Sequence, residues 1–125
     1  MERFYYCTTC KRLVYALDEK QSNLVCCGKP MLELKANSVD AANEKHVPVI
    51  NVEGLVATVI VGEVIHPMIP EHYIEWIALK TNKNMHIKKL NPGEEPKATF
   101  ALLEGEEVIE AYEFCNLHML WKKAN

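Results

Sequence analysis

Tyr73-Ile74-Glu75-Trp76-Ile77-Ala78-Leu79, then the polar break Asn82-Lys83-Asn84, then Met85–Leu90, then Asn91-Pro92-Gly93, is the stretch that decides the fold. The first run alternates at Ile74-Glu75-Trp76, continues apolar to Leu79, and reads as a strand. Two more short runs with strand character follow, Ala98–Leu103 and Val108–Tyr112, separated by Glu104-Gly105-Glu106, and Leu117–Lys123 reads as a last strand. Upstream, Leu55–Val61 is a continuous apolar strand behind the turn Glu53-Gly54. Val47–Val52 carries Pro48, which suits an edge strand. Short strands with turn signals every 8–12 residues predict an all-β, antiparallel sandwich.

The sandwich occupies residues 37–125. The remainder, residues 1–36, differs in charge and in cysteine content. It holds six basic and four acidic residues, against eight and thirteen in the rest, and four of the five cysteines. Two modules are therefore expected, 1–36 and 37–125. Phe4-Tyr5-Tyr6, Leu13–Leu17 and Leu24-Val25 read as strands of the first, with a polar turn over Asp18–Asn23. Some 36 residues bury too little apolar surface to fold unaided, so a staple is required. Asn37–Glu44 reads as a linker or a short helical turn.

Several classes are excluded. With 14 basic and 17 acidic residues, net charge −3, and no basic tract longer than the pairs Lys11-Arg12, Lys88-Lys89 and Lys122-Lys123, nucleic acid is not an expected partner. No apolar run approaches the roughly 18–20 residues of a membrane span. The first residues, Met1 to Cys7, lack the basic start and apolar core of a signal peptide, so a reducing cytoplasm is expected. In such a compartment a metal is a better staple than a disulfide.

Cys7, Cys10, Cys26 and Cys27 supply the thiolates for a tetrahedral site. A two-residue spacer lets both sulfurs of one turn reach a single ion. The adjacent pair needs a bend, which Gly28 favours. Spacing does not separate zinc from iron. In the sandwich, His66 and His72 flank a two-proline loop, and Cys115-Asn116-Leu117-His118 has ligand-like spacing at the end of a strand. Loops at one end of a sandwich converge, so these residues can meet. His86 lies within Met85–Leu90 and reads as a structural bystander.

Six segments, Tyr6–Cys10, Leu24–Met31, Val39–Val49, Val61–Met68, Glu71–Ile77 and Cys115–His118, together resemble desulfoferrodoxin, the two-iron superoxide reductase, in order and over nearly the whole chain. The four-cysteine module is similar to the two-centre form rather than to the shorter neelaredoxin type. The resemblance implies a small desulforedoxin-like metal knuckle followed by an immunoglobulin-like antiparallel β-sandwich. It implies iron bound by Cys7, Cys10, Cys26 and Cys27. It implies a second iron with His46, His66, His72 and His118 as equatorial ligands, Cys115 as axial thiolate, and an open sixth position where superoxide is reduced to hydrogen peroxide. It gives Lys45 the role of attracting the anionic substrate and Glu44 that of closing the sixth position after turnover. A rubredoxin-like electron donor and a homodimer are also implied. Lys11 departs from the family, which often has glycine there; a positive φ would strain it. Two other readings differ in metal content or ligand count: a two-iron electron carrier, which gains nothing from an open position, and a zinc ribbon joined to a binding domain.

Overall fold

The computed structural model describes residues 2–20 and 23–125. The turn expected over Asp18–Asn23 includes Gln21 and Ser22, which lie outside the described residues, as does Met1. The chain divides into two compact units, Met1–Lys35 and Ala36–Asn125.

The first unit is built from five short strands: β1 (Arg3–Tyr6), β2 (Leu13–Ala16), β3 (Val25–Cys26), β4 (Lys29–Pro30) and β5 (Leu32–Glu33). β1 is central in an antiparallel sheet ordered β2-β1-β5, and β3 and β4 form a separate hairpin. Phe4, Tyr5, Tyr6 and Cys7 are buried, while Leu17 and Val25 are largely exposed. So few buried side chains fit a unit that needs a staple beyond its apolar core.

The second unit begins with one helical turn, α1 (Asn43–His46), where the sequence reads as linker or turn. Its strands are β6 (Pro48–Glu53), β7 (Val56–Val61), β8 (Ile74–Thr81), β9 (Met85–Lys89), β10 (Lys97–Ala101), β11 (Val108–Cys115) and β12 (Met119–Ala124). One sheet is ordered β10-β7-β6 and the other β12-β11-β8-β9, with antiparallel pairing throughout. Alternation produces the core. Ala57, Val59 and Val61 from one sheet meet Ile77, Leu79 and Ala111 from the other in one buried cluster. Antiparallel sheets packed this way form the expected sandwich.

Local chemistry sets the connections. Gly54, at φ +59°, opens the two-residue turn between β6 and β7, as a type II′ hairpin requires. β6 is an edge strand and carries Pro48 at its first position, where no ladder bond is lost. At the other sheet's edge, Asn37 mimics a strand. Its Oδ1 accepts from the Lys122 N–H at 2.8 Å and its Nδ2 donates to the Lys122 carbonyl at 3.2 Å. β11 runs to Cys115, three residues beyond the expected end at Tyr112. Its pairing with β8 is irregular between Phe114 and Cys115: Phe114 opposes Trp76, but Cys115 opposes Ile74, leaving Glu75 as an extra residue. This irregularity brings Cys115 and Ile74 to the same interior face, at the end of the sandwich where the histidine loops lie.

Candidate metal centres

The four N-terminal cysteines converge. Their sulfurs all lie within 4.8 Å of one another, and none is in a disulfide. Cys10 Sγ is 3.6 Å from Cys26 Sγ, which is 3.9 Å from Cys27 Sγ. A tetrahedron of ~2.3 Å metal–sulfur bonds has edges of ~3.8 Å, so these separations fit a tetrathiolate cage. The cage cannot hold four anions without a cation. The Cys10 N–H, which points at Cys7 Sγ at 3.4 Å, pulls the Cys7 thiol down to about 6. The neighbouring sulfurs of Cys10 and Cys7 push Cys26 up to about 12 and raise Cys27 as well.

The adjacent pair is accommodated by the turn itself. Cys27 and Gly28 are the two central residues between the paired Cys26 and Lys29, with φ of +53° and +74°. That is a type I′ hairpin, which needs positive φ at both positions. Cys27 therefore leaves the strand alternation that would point it away from Cys26. On the other arm, Lys11 takes φ +69°. This is the glycine-like conformation expected to be strained. The side chain folds back, with Nζ donating to the Thr8 carbonyl at 3.3 Å and lying 5.9 Å from the centre of the Tyr6 ring.

In the sandwich, His46, His66, His72 and Cys115 bring one ligand atom each to within 4.8 Å of the others. His118 joins them, with Nδ1 3.1 Å from His46 Nε2 and 3.8 Å from Cys115 Sγ. The four imidazoles form a square. Ring centres are 4.7 Å apart for His46–His66, 4.6 Å for His66–His72, 5.2 Å for His72–His118 and 4.8 Å for His118–His46, while the His46–His72 diagonal is 6.4 Å. Neighbouring rings stand at 74–87° to one another and the His46 and His72 rings at 29°. This pinwheel gathers the nitrogens of His46, His66 and His72 with Cys115 Sγ, and His118 joins through Nδ1 beside His46 Nε2. Cys115, fully buried, brings its thiol to the same centre from the core.

The protons are also arranged for a cation. His46 Nδ1 donates to the Ala42 carbonyl at 2.8 Å, and His66 Nδ1 to the Pro67 carbonyl at 2.7 Å. A carbonyl only accepts, so each Nδ1 carries the hydrogen, and in the neutral ring each Nε2 is a bare lone pair. Burial lowers the pKa of His46 and His72 and brings His66 down to about 4, which keeps all three neutral. His46 Nε2 and His66 Nε2 thus face each other at 3.2 Å with no proton between them, and His72 Nε2 is buried with no partner. Burial pushes the Cys115 thiol up to about 11, opposed by the N–H groups of Leu117 and His118. Repelling lone pairs, an orphaned buried nitrogen and a buried thiol are what a bound metal resolves.

Glu44 and Lys45 are both solvent-exposed, on the turn that ends at His46. The charge of Lys45 contributes to lowering His46 and His72, so it acts on the cluster. His86 lies outside the cluster. Its Nε2 bonds Glu106 at 2.7 Å, in a network with Thr81 and Asn84.

Three features were not read from the sequence. Trp121 stacks on His46, with ring centres 5.0 Å apart, and its Nε1–H donates to the His118 carbonyl at 2.9 Å. Glu113 is fully buried on the interior face, opposite Ile77 and Trp121, and burial raises its carboxyl well above the usual range. Gly62 packs against the α1 turn so closely that a Cβ would lie 2.7 Å from the Glu44 carbonyl oxygen. Gly62 had a readable signal, as a glycine directly after an apolar strand; the other two had none.

Comparison with known proteins agrees with this geometry. The Desulfoferrodoxin family model matches residues 38–124. The desulfoferrodoxin of Syntrophotalea carbinolica is 46% identical over 117 residues, covering 94% of this chain and 91% of that protein. The crystal structure of the superoxide reductase from Treponema pallidum superposes with a TM-score of 0.85 at 41% identity, covering 98% of each chain. A superoxide reductase from Giardia intestinalis, at 31% identity and a TM-score of 0.57, covers 97% of its own length but 66% of this chain. With a family match spanning the sandwich and relatives that extend through the cysteine unit, the chain belongs to the desulfoferrodoxin family.

Proposed function

We propose that this protein is a superoxide reductase that consumes one superoxide, one electron and two protons and releases one hydrogen peroxide. The observation that carries the reading is the square of four imidazoles with the buried thiol of Cys115 directed at its centre. His46, His66 and His72 through Nε2, His118 through Nδ1, and Cys115 through its thiolate are assigned as the residues that would hold the iron. An iron held by five protein donors could still accept a small anion such as superoxide. When bound, that iron supplies the electron and the open position at which superoxide is reduced.

The chain's own residues do the rest. The carbonyls of Ala42 and Pro67 hold the His46 and His66 rings in the tautomer that presents Nε2. Lys45 supplies local positive charge in a protein of net charge −3, which raises the encounter rate of an anion. Glu44 is assigned as the carboxylate that would close the substrate place between turnovers. Of the two modules expected from the sequence, the second, 37–125, is assigned as the catalytic one. The first, 1–36, is assigned as an iron module in which Cys7, Cys10, Cys26 and Cys27 hold a relay or structural centre.

A rubredoxin-like protein is proposed as electron donor, a homodimer as the assembly and the cytoplasm as the compartment. Family membership supports the first two, and five free thiols support a reducing compartment. Among the described residues no helix is long and apolar enough to cross a membrane.

The test is metal analysis with visible and spin-resonance spectra, followed by pulse radiolysis. Two irons per chain, and one hydrogen peroxide formed per superoxide with no oxygen released, are expected. Zinc alone at both sites, or oxygen release at half the superoxide consumed, overturns the reading.

A further inference from the structure

Asn116 lies between Cys115 and His118 in sequence and makes three bonds to the loop that carries His72. Its Oδ1 accepts from the Tyr73 N–H at 2.9 Å, its Nδ2 donates to the Glu71 carbonyl at 3.1 Å, and its own N–H donates to the Tyr73 carbonyl at 3.2 Å. The first two bonds grip the residues on either side of His72. His72 itself exchanges both backbone bonds with Ile69, its N–H to the Ile69 carbonyl at 3.0 Å and its carbonyl to the Ile69 N–H at 3.1 Å. The peptide groups around His72 are thus held from both sides, by the turn of its own loop and by a side chain from the β11–β12 connection.

The position of this grip matters. The β8–β11 ladder ends at the pair Ile74–Cys115, just after the irregularity at Glu75. Beyond that pair no further strand residues fix the two connections against each other. The Asn116 side chain supplies a peptide-like donor and acceptor there and extends the ladder past its end. A shorter side chain gives up both side-chain bonds, and aspartate gives up the donor while keeping the acceptor.

We propose that Asn116 is a positioning residue that sets His72 against Cys115, so that the sandwich site is shaped before any metal arrives. The inference rests on the metal site proposed above and assigns the residue no contact with metal or substrate. Groups of this kind orient ligands, and losing one typically costs ~10–100-fold in metal affinity.

The test uses the full-length iron-loaded chain and its Asn116→Ala and Asn116→Asp variants. A ferrous chelator strips both centres, and oxidised spectra follow each separately, with the cysteine centre as internal reference. In Asn116→Ala, iron is expected to leave the sandwich centre ~10–100-fold faster and the cysteine centre at the wild-type rate. The thiolate-to-iron absorption of the iron still bound in the sandwich is expected to shift. Asn116→Asp, which keeps the Tyr73 bond, is expected to fall between the two. A purely structural role lowers the melting temperature of the metal-free chain and leaves that absorption in place. An unshifted band, or wild-type release rates in both variants, overturns the inference. If Asn116→Ala does not fold, the band and release rate of Asn116→Asp decide. A wild-type chain that holds iron only at the cysteine centre overturns the functional reading as well, whereas indistinguishable variants of a two-iron wild type overturn this inference alone.

Discussion

Replacing Gly62 by alanine is expected to disable the sandwich metal site before it unfolds the sandwich. The added Cβ would stand 2.7 Å from the Glu44 carbonyl oxygen and 3.0 Å from both Lys45 C and the Val47 carbonyl oxygen. All three are backbone atoms and cannot swing aside as a side-chain tip would. Restoring the closest contact to the 3.4 Å at which ordinary packing begins asks for about 0.7 Å of displacement. The segment pushed is α1, which ends at His46 and is tied to the same loop by the Val64 N–H donating to the Glu44 carbonyl at 2.8 Å. Metal–ligand distances tolerate only ~0.2 Å, so even a third of that displacement, passed to His46, spoils its reach. The energetic cost of such overpacking is ~1–3 kcal/mol. A domain of ordinary stability, ~5–15 kcal/mol, survives it. The assay is urea unfolding of the metal-free chain, followed by tryptophan fluorescence, beside iron stoichiometry of the reconstituted chain. Gly62→Ala should lose ~1–3 kcal/mol and hold iron at the cysteine centre only. Stability within ~0.5 kcal/mol of wild type together with two irons per chain would show that the α1 turn yields freely, and would refute the reasoning.

Lys45→Ala is expected to slow the reaction with superoxide and to flatten its dependence on ionic strength; an unchanged rate constant in pulse radiolysis removes Lys45 from the mechanism. Cys10→Ser is expected to release the metal of the first unit and leave the sandwich spectrum in place. Retention of both spectra would sink that expectation, and turnover with the donor then separates a structural centre from a relay. Glu106 is held down to about 2, chiefly by the Leu103 N–H, then by Thr81 and His86. A carboxyl with a depressed folded value contributes stability that is full above its ordinary value of 4.5 and is lost as pH falls through about 2. Thermal melts of Glu106→Gln should therefore lose part of the wild-type decline between those values, and an identical acid limb would refute the assignment.

The strands were legible because short apolar runs bounded by turn residues are imposed by the sheets, as in Tyr73–Leu79 and Leu55–Val61. The extension of β11 was not, because Glu113, directly after Tyr112, carries no signal of burial. Its burial follows from the register that places it opposite Ile77 and Trp121, which no local pattern reveals. The His66–His72 loop and the Cys115–His118 segment were legible from residue type and spacing, and His46 only from the resemblance. Which nitrogen each ring presents was not, since that depends on carbonyls such as those of Ala42 and Pro67, and every residue has a carbonyl. The Gly62 contact and the Asn116 bonds join segments distant in sequence, so they too appear only once the sheets are assembled.

The two donor sets differ in how much chain each encloses, and this orders their filling. Cys7 and Cys26 are 19 residues apart, whereas His46 and His118 are 72 apart. The cysteine set needs only the β1–β2 and β3–β4 hairpins, each of which closes in microseconds and uses little of the chain. The histidine set does not exist until the β11–β12 connection has been synthesised and both sheets have paired, because its members come from three remote connections. During translation a thiophilic ion can therefore gather the four cysteines long before the second pocket is shaped. The second pocket is charged only in a folded chain, where preformed geometry rather than the softness of loose thiols chooses the ion.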